Sequence, residues 1–323
     1  RHRHLSIAER FSIARTLMRL AQYKKDEDIV ALEWLLEQGQ TDRCIRQFWE
    51  TFLLSALGER IERVSLIAAR KVVVDGFLRN RKGYQVRIPT KSLRQLFDRD
   101  VAQNLKRRGI KLERSCPNHR LSISQQGVLM HGENTAENGF AKVVCAVPWH
   151  SLNDLLTPPL SQQLPELAGV NEFRASPITG IHLWFDRPIT DLPHAVFVGR
   201  TSHWLFNGKL IEQPAHGAVA DGNSSQSGSL SNPNQAYYQI VISSDIAAAG
   251  PLERESILKK VRAELLDCFP QSAGATLLRS QFVTERKAVF SYTPGLDLIR
   301  PKQKTSVDNL YLAGDWTDTG WPS

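Results

Sequence analysis

The 323-residue sequence holds only four cysteines: Cys44, Cys116, Cys145 and Cys268. None stands in a Cys-x-x-Cys pair, and none shares a metal-like spacing with the nine histidines. This excludes a disulfide framework and a finger-type metal site, and it fits reduced thiols in a reducing, cytoplasmic compartment. No apolar run approaches the ~20 residues of a membrane-spanning helix. No two glycines stand two apart, so Gly-x-Gly-x-x-Gly, the usual cradle for a dinucleotide diphosphate, is absent from these residues. Basic and aromatic residues do not interleave as on a nucleic-acid platform, and nucleic acid is not expected as a partner. No Ser/His/Asp arrangement marks a nucleophile, so no catalytic residue and no metal ligand is assigned.

What is present is ordinary globular material, 41% hydrophobic and 23% charged, enough for one large or two interleaved domains. The formal net charge is +8. The excess is spread over Arg60/Arg63, Arg70/Lys71, Arg79/Arg81/Lys82 and Lys106/Arg107/Arg108. A solvated basic surface accounts for it, with a pull toward anionic lipid or a diphosphate left open. His2 and His4 sit in a charge run at the start and read as solvated.

Residues 5–57 carry helical periodicity in three stretches. Ser6-Ile-Ala-Glu9 opens the first as a capping box, and Gly39 and Gly58 are natural stops for the second and third. The spacing predicts helix again over Ile61–Ala69 and Ser92–Arg107, with Val72–Phe77 ambiguous. Ile110–Arg114, Leu121–Ser124 and Gly127–Gly132 read as short strands, Asn134–Gly139 as a turn, and Lys142–Pro148 as a buried strand. Farther on, Ile178–Phe185 places Ile181, Leu183 and Phe185 on one face. Ala195–Val198, His203–Phe206 and Tyr237–Ile242 follow as antiparallel strands, and residues 214–234 are a Gly/Ser/Asn-rich insertion. Leu252–Cys268 is an amphipathic helix. Leu277–Phe282, Ala288–Ser291 and Asn309–Ala313 complete the strands.

The chemistry concentrates in the tail. Asn309-Leu-Tyr-Leu-Ala-Gly-Asp315 is an apolar strand ending in Gly-Asp, which sets a carboxylate at the carboxyl end of a sheet strand, where open α/β folds bind ligands. Gly314 lets the backbone approach a bulky group closely, and Asp315 can accept hydrogen bonds from ribityl hydroxyls. Trp316-Thr-Asp-Thr-Gly-Trp-Pro-Ser323 continues with a loop shaped by Gly320 and Pro322. Trp321 supplies a flat apolar face, and Ser323 can cap a following helix. A chain that starts at Arg1 and stops directly after this motif reads as a piece of a longer one, with the glycine motif expected upstream.

This tail resembles the C-terminal flavin motif of the amine oxidase and phytoene desaturase superfamily. The resemblance is closest to the hydroxysqualene dehydroxylase family, the squalene-associated FAD-dependent desaturases. Other segments match in the same order: Phe48-Trp-Glu50 with Ser55-Ala-Leu57, Arg87-Ile-Pro89, Val144-Cys-Ala-Val-Pro-Trp149, Ser176-Pro-Ile178, His182-Leu-Trp-Phe-Asp-Arg-Pro188, Trp204-Leu-Phe206, Thr293-Pro-Gly295 and Arg300-Pro301. The His182–Pro188 run and the Gly314–Pro322 tail discriminate best. One departure is Asn118, near where the family carries a valine by the adenine.

The resemblance implies an α/β fold, amine-oxidase-like, with an FAD-binding Rossmann-like domain interleaved with a mixed-sheet and helical substrate domain. Residues 85–149 and 291–323 would belong to the flavin domain, 1–84 and 150–290 to the substrate domain. It implies FAD as cofactor, held near Ala146, Pro148, Gly314, Asp315, Trp316, Gly320, Trp321 and Pro322. Trp149, Trp184, Trp204 and Phe206 are candidates to line an isoprenoid pocket, because π faces attract a transient carbocation, although ordinary packing accounts for each equally well. His182, in a strand with apolar alternates, reads as structural. The activity implied is reduction of hydroxysqualene to squalene, on a membrane-dissolved substrate and hence with peripheral membrane association at the inner face. A carotenoid or phytoene-type desaturase and a flavin amine oxidase are the alternatives within the superfamily. A non-catalytic binding protein is the alternative outside it.

Overall fold

The computed structural model describes residues 4–24, 27–114, 119–124, 127–132, 135–210, 235–243 and 250–322. The insertion 214–234, His2, Cys116, Asn118 and Ser323 lie outside the described residues.

The N-terminal third is helical, and its boundaries follow local chemistry. Ser6 Oγ accepts from the Glu9 amide while the Glu9 carboxylate accepts from the Ser6 amide, so the capping box opens helix Ile7–Gln22. Helix Ala31–Glu37 follows. A continuous helix then runs from Asp42 to Leu57, with π-type winding over Ile45–Glu50. Gly58 ends it in the left-handed conformation at φ 65°. The next helix starts later than periodicity suggests. Ser65 caps it by accepting from the Ala68 amide, and it continues from Leu66 through the ambiguous valines to Leu78. Val72, Val73 and Val74 are all buried, and packing overrides the small helical penalty of β-branched residues.

Strands β1 (Arg120–Ser124), β2 (Gly127–Gly132) and β3 (Thr135–Gly139) form an antiparallel meander. Most of the turn expected at 134–139 is therefore strand. Residues 110–114 are irregular instead of extended-paired, since among the described residues no strand lies alongside to complete a ladder. Strand β4 (Val143–Cys145) follows. β5 (Ala175–Phe185), β6 (His194–Val196), β7 (Trp204–Asn207), β8 (Ala236–Ser243) and β9 (Leu277–Phe290) form an antiparallel sheet in the order β6-β7-β8-β5-β9. β10 (Leu310–Leu312) pairs in parallel with β4. The expected long buried strand at 142–148 is shorter, and only one face of it packs: Cys145 is buried while Val144 is 63% exposed. Conversely, β9 is one strand of 14 residues where two were expected, its pairing with β5 adjusted by register shifts near Ser176 and Trp184.

Among the described residues two hydrophobic cores result. One face of the five-stranded sheet buries Ile181, Leu183, Phe185, Leu205, Tyr238 and Ile240 against Ile257, Val261 and Leu265 of helix Pro251–Cys268. The period-two alternation of β5 and β8 makes that face apolar and leaves the opposite one for other use. The second core joins the N-terminal helices, through Trp49, Leu53 and Leu57, to Phe290, Leu310, Leu312 and Trp316.

Candidate flavin and substrate site

The tail and the β4 end meet at the carboxyl ends of two parallel strands. The Ala313 amide donates to the Cys145 carbonyl, extending the β4–β10 ladder by one bond. Gly314 then turns at φ 140°, and a Cβ there would lie 2.6 Å from Trp316 Nε1. Trp316 is buried, and its Nε1 donates to the Val147 carbonyl at 3.0 Å. That bond ties the loop after β10 to the segment carrying Ala146 and Pro148, both exposed. The structure thus brings Ala146, Pro148, Gly314, Asp315 and Trp316 together, with the Asp315 side exposed. Gly320 turns at φ 71°, Pro322 is buried, and Trp321 is 38% exposed. The Trp321 ring walls a cavity of about 530 Å³, lined also by Ala56, Leu57, Phe77, Lys82 and Arg87.

One buried side chain shapes this loop from below. Arg300 donates to the carbonyls of Asp315 (2.7 Å) and Thr317, and to Tyr292 Oη (3.0 Å) and Asp297 (3.1 Å). Its guanidinium lies against the Phe290 and Tyr292 rings, 5.5 Å from each centroid. Burial and the Asp297 carboxylate push the Tyr292 phenol well above its ordinary range, so it stays protonated.

The open face of the five-stranded sheet is aromatic. Trp204 and Phe206 stack at 5.6 Å and 3°. Trp184, Tyr237 and His182 form a second group, with Trp184–Tyr237 centroids 5.2 Å apart and Arg279 over the Trp184 ring at 4.8 Å. His182 Nδ1 and Tyr237 Oη are hydrogen-bonded at 2.6 Å. Burial lowers the His182 pKa and pushes Tyr237 up to about 12, so both are uncharged near neutrality. Trp204 Nε1 donates to Ser55 Oγ at 3.1 Å, which ties this face to the helix whose next residues, Ala56 and Leu57, line the Trp321 cavity. Trp149 lies apart from this group. It is packed in the other core, edge-on to Phe290 at 6.0 Å.

Residues 3–323 match the model of the flavin containing amine oxidoreductases. The chain belongs to that family. It is 30% identical over 214 residues to the hydroxysqualene dehydroxylase of Sinorhizobium fredii, covering 66% of this chain and 44% of that protein. It is 28% identical over 178 residues to the 15-cis-phytoene desaturase of Synechococcus elongatus, covering 54% of this chain and 34% of that one. The chain therefore spans less than half the length of either relative. Among solved structures, cyclohexylamine oxidase from Brevibacterium oxydans superposes with a TM-score of 0.66 at 16% identity, over 99% of this chain and 72% of that one. This likeness shows the α/β amine-oxidase-like fold.

Family membership makes FAD the cofactor, and the residues present fit it. The Gly314 turn is a place where any side chain would collide with Trp316. Next to it is an exposed carboxylate at a strand end, and farther along the same tail Trp321 turns its ring to a cavity carrying Lys82 and Arg87. Among the described residues no group of His, Cys, Asp and Glu could hold a metal ion, and no helix is long and apolar enough to cross a membrane. Sequence reasoning missed three contributors. Arg300 was noticed only as part of a matching segment, and its burial is invisible in one dimension. Tyr237 and Gln239 carried a usable signal: alternation along Tyr237-Tyr-Gln-Ile-Val-Ile242 sets both on the face opposite the core.

Proposed function

We propose that the protein is an FAD-dependent oxidoreductase of isoprenoid metabolism that reduces hydroxysqualene to squalene. The observation that carries the reading is the aromatic sheet face of Trp184, Trp204, Phe206 and Tyr237, joined through Trp204 and Ser55 to the helix that borders the Trp321 cavity. An extended hydrocarbon with a few double bonds suits such a face, since stacked rings bury its apolar surface and attract developing positive charge. The identity to a named hydroxysqualene dehydroxylase supports it.

The loop residues Gly314, Asp315, Trp316 and Gly320, with Ala146, Pro148, Trp321 and Pro322, hold the cofactor. Arg300 keeps their backbone in shape from beneath. FAD in its reduced form supplies a hydride when bound. The chain's own task is to lay the substrate along the aromatic face and keep water from the cation left when the hydroxyl departs as water. Residues 85–149 and 291–323 form the flavin domain in this reading, and 1–84 with 150–290 the substrate domain. The separate core of the five-stranded sheet supports the second unit, while the helices of 1–84 share their core with the flavin segment. A membrane-dissolved substrate brings the protein to a bilayer surface peripherally.

The test is anaerobic incubation of the full-length, FAD-loaded enzyme with hydroxysqualene and a reductant, with products read by mass spectrometry. Squalene is the expected product. Its absence, alongside dehydrogenation of a polyene or an amine, would move the protein to a desaturase or oxidase role.

A further inference from the structure

Besides Arg279 and Gln281 of β9 and His194 of β6, the aromatic face carries a polar pair centred on a glycine in mid-strand. Gly180 lies inside β5, opposite Val241 of β8 and Val283 of β9. Its φ lies outside the left-handed region, so nothing in the backbone demands a glycine. A glycine inside a strand weakens it, and often marks close approach of another group. Here the approaching groups are two polar tips. The point a methyl would occupy lies 3.0 Å from Gln239 Nε2 and 3.6 Å from His182 Nε2. His182 is held from its other side by Tyr237 Oη. Among the described residues, neither the Gln239 amide nor His182 Nε2 has a hydrogen-bond partner in the protein, and both side chains are only half-buried. Around them stand Trp184, Tyr237 and Phe206, with Gln281 and Arg279 of β9 at the border of the same face and engaged with each other.

We propose that Gln239 and His182, converging over Gly180 and braced by Tyr237, bind the hydroxyl of an isoprenoid alcohol and so select it over the corresponding hydrocarbon. This rests on the isoprenoid reading above and deepens it. The pair of tips is uncharged near neutrality, so it offers an amide and an imidazole to a neutral ligand oxygen instead of an ionic contact. A hydrocarbon on the same face would leave both tips buried without partners, and that penalty makes hydrogen-bonding sites discriminate far better than apolar ones. Gln239, His182 and Tyr237 are here specificity and positioning residues.

The test measures binding to the oxidised, FAD-loaded, full-length enzyme, where no hydride can be delivered. Hydroxysqualene and squalene are titrated in detergent, and the shift in the flavin absorbance spectrum reports occupancy. The wild type is expected to favour hydroxysqualene by about tenfold, the worth of one well-made neutral hydrogen bond. Gly180→Ala fills the point between the tips with a methyl, and Gln239→Leu removes the amide at similar volume. Both should erase the preference without weakening squalene binding or lowering the melting temperature, and Gln239→Leu should bind squalene more tightly because no amide is left unpaired. Tyr237→Phe, which frees the imidazole, should reduce the preference partially. If the wild type prefers hydroxysqualene and both Gly180→Ala and Gln239→Leu keep that preference, the inference fails and the isoprenoid reading stands. Equal binding of the two ligands by the wild type also overturns the inference alone. Binding of neither overturns both.

Discussion

Replacing Arg300 by methionine removes a cation from beneath the loop proposed to hold FAD while keeping an apolar chain of similar length against Phe290 and Tyr292. The side chain is 1% exposed and serves two loop carbonyls, those of Asp315 and Thr317. Hydrogen bonds from a charged donor contribute about 1.5–3 kcal/mol each, and removing one partner of a buried pair costs about 3–5 kcal/mol. Two features hold the figure to the lower part of that range. Asp297 is half exposed and rehydrates when its partner leaves, and Arg300 Nε is buried with no acceptor, a cost that vanishes with the guanidinium. A loss of about 3 kcal/mol is therefore expected, a drop of roughly 6–12 °C in melting temperature at ~2–4 °C per kcal/mol. In the proposed reading the loop also contacts FAD, so part of the loss falls on binding. If about half of the loss falls there, FAD affinity weakens about tenfold. Both quantities can be read on the full-length protein, from the FAD-to-protein ratio after gel filtration and from a thermal scan. Arg300→Lys should be intermediate, because one ammonium cannot reproduce a fork that reaches both carbonyls. Wild-type melting and wild-type FAD content in Arg300→Met would refute the reasoning. A lowered melting temperature with unchanged FAD affinity would leave Arg300 a structural residue only.

Gly314→Ala should be more damaging to FAD binding than to global folding. The new methyl meets the Trp316 indole at 2.6 Å on a backbone angle that side chains avoid, at a cost of about 1–3 kcal/mol from the backbone alone; a purified variant that retains stoichiometric FAD would contradict this. Acidification should destabilise the fold in the ordinary histidine range. His203 is half-buried, its Nδ1 accepts from the Ser243 amide at 2.9 Å, and partial burial lowers its pKa against a smaller opposing pull from Glu264, with Arg60 adding to the lowering. The unfolded chain then binds a proton that the folded one refuses, so stability is full above the unfolded value of ~6.5 and declines as pH falls below it, toward the lowered folded value. His182 acts with the same sign. His203→Asn keeps an acceptor for Ser243 and should flatten the melting-temperature profile between about pH 5 and 7; an unchanged profile would count against this origin.

Local chemistry was legible wherever it was self-contained. The capping box at Ser6, the stops at Gly39 and Gly58, and the alternation in β5 and β8 depend on residues within a few positions of one another, and each appears where periodicity placed it. A turn at Gly314 was readable for the same reason, since the strand and the glycine that ends it are consecutive, but that the glycine must clear the Trp316 indole was not. Errors arose where pairing partners are distant. Residues 135–139 are an exception, since they pair with the adjacent β2, whereas β4 takes its partner β10 from far along the chain and only one of its faces is covered. The same separation hid the parts of the site that act through contact. Arg300 reaches carbonyls 15 and 17 residues away, and Ser55 meets Trp204 across 149 residues. Gln239 and His182 converge only because β5 and β8 pair in one register over a glycine. The sequence by itself determined the capped helices, the alternating strands and the Gly314 turn, because these follow from short-range sterics and hydrogen bonding, and its motifs pointed to the family. Only the tertiary structure decided which polar groups stand together on the aromatic face and which cation holds the loop, because burial and strand register are properties of the packed chain.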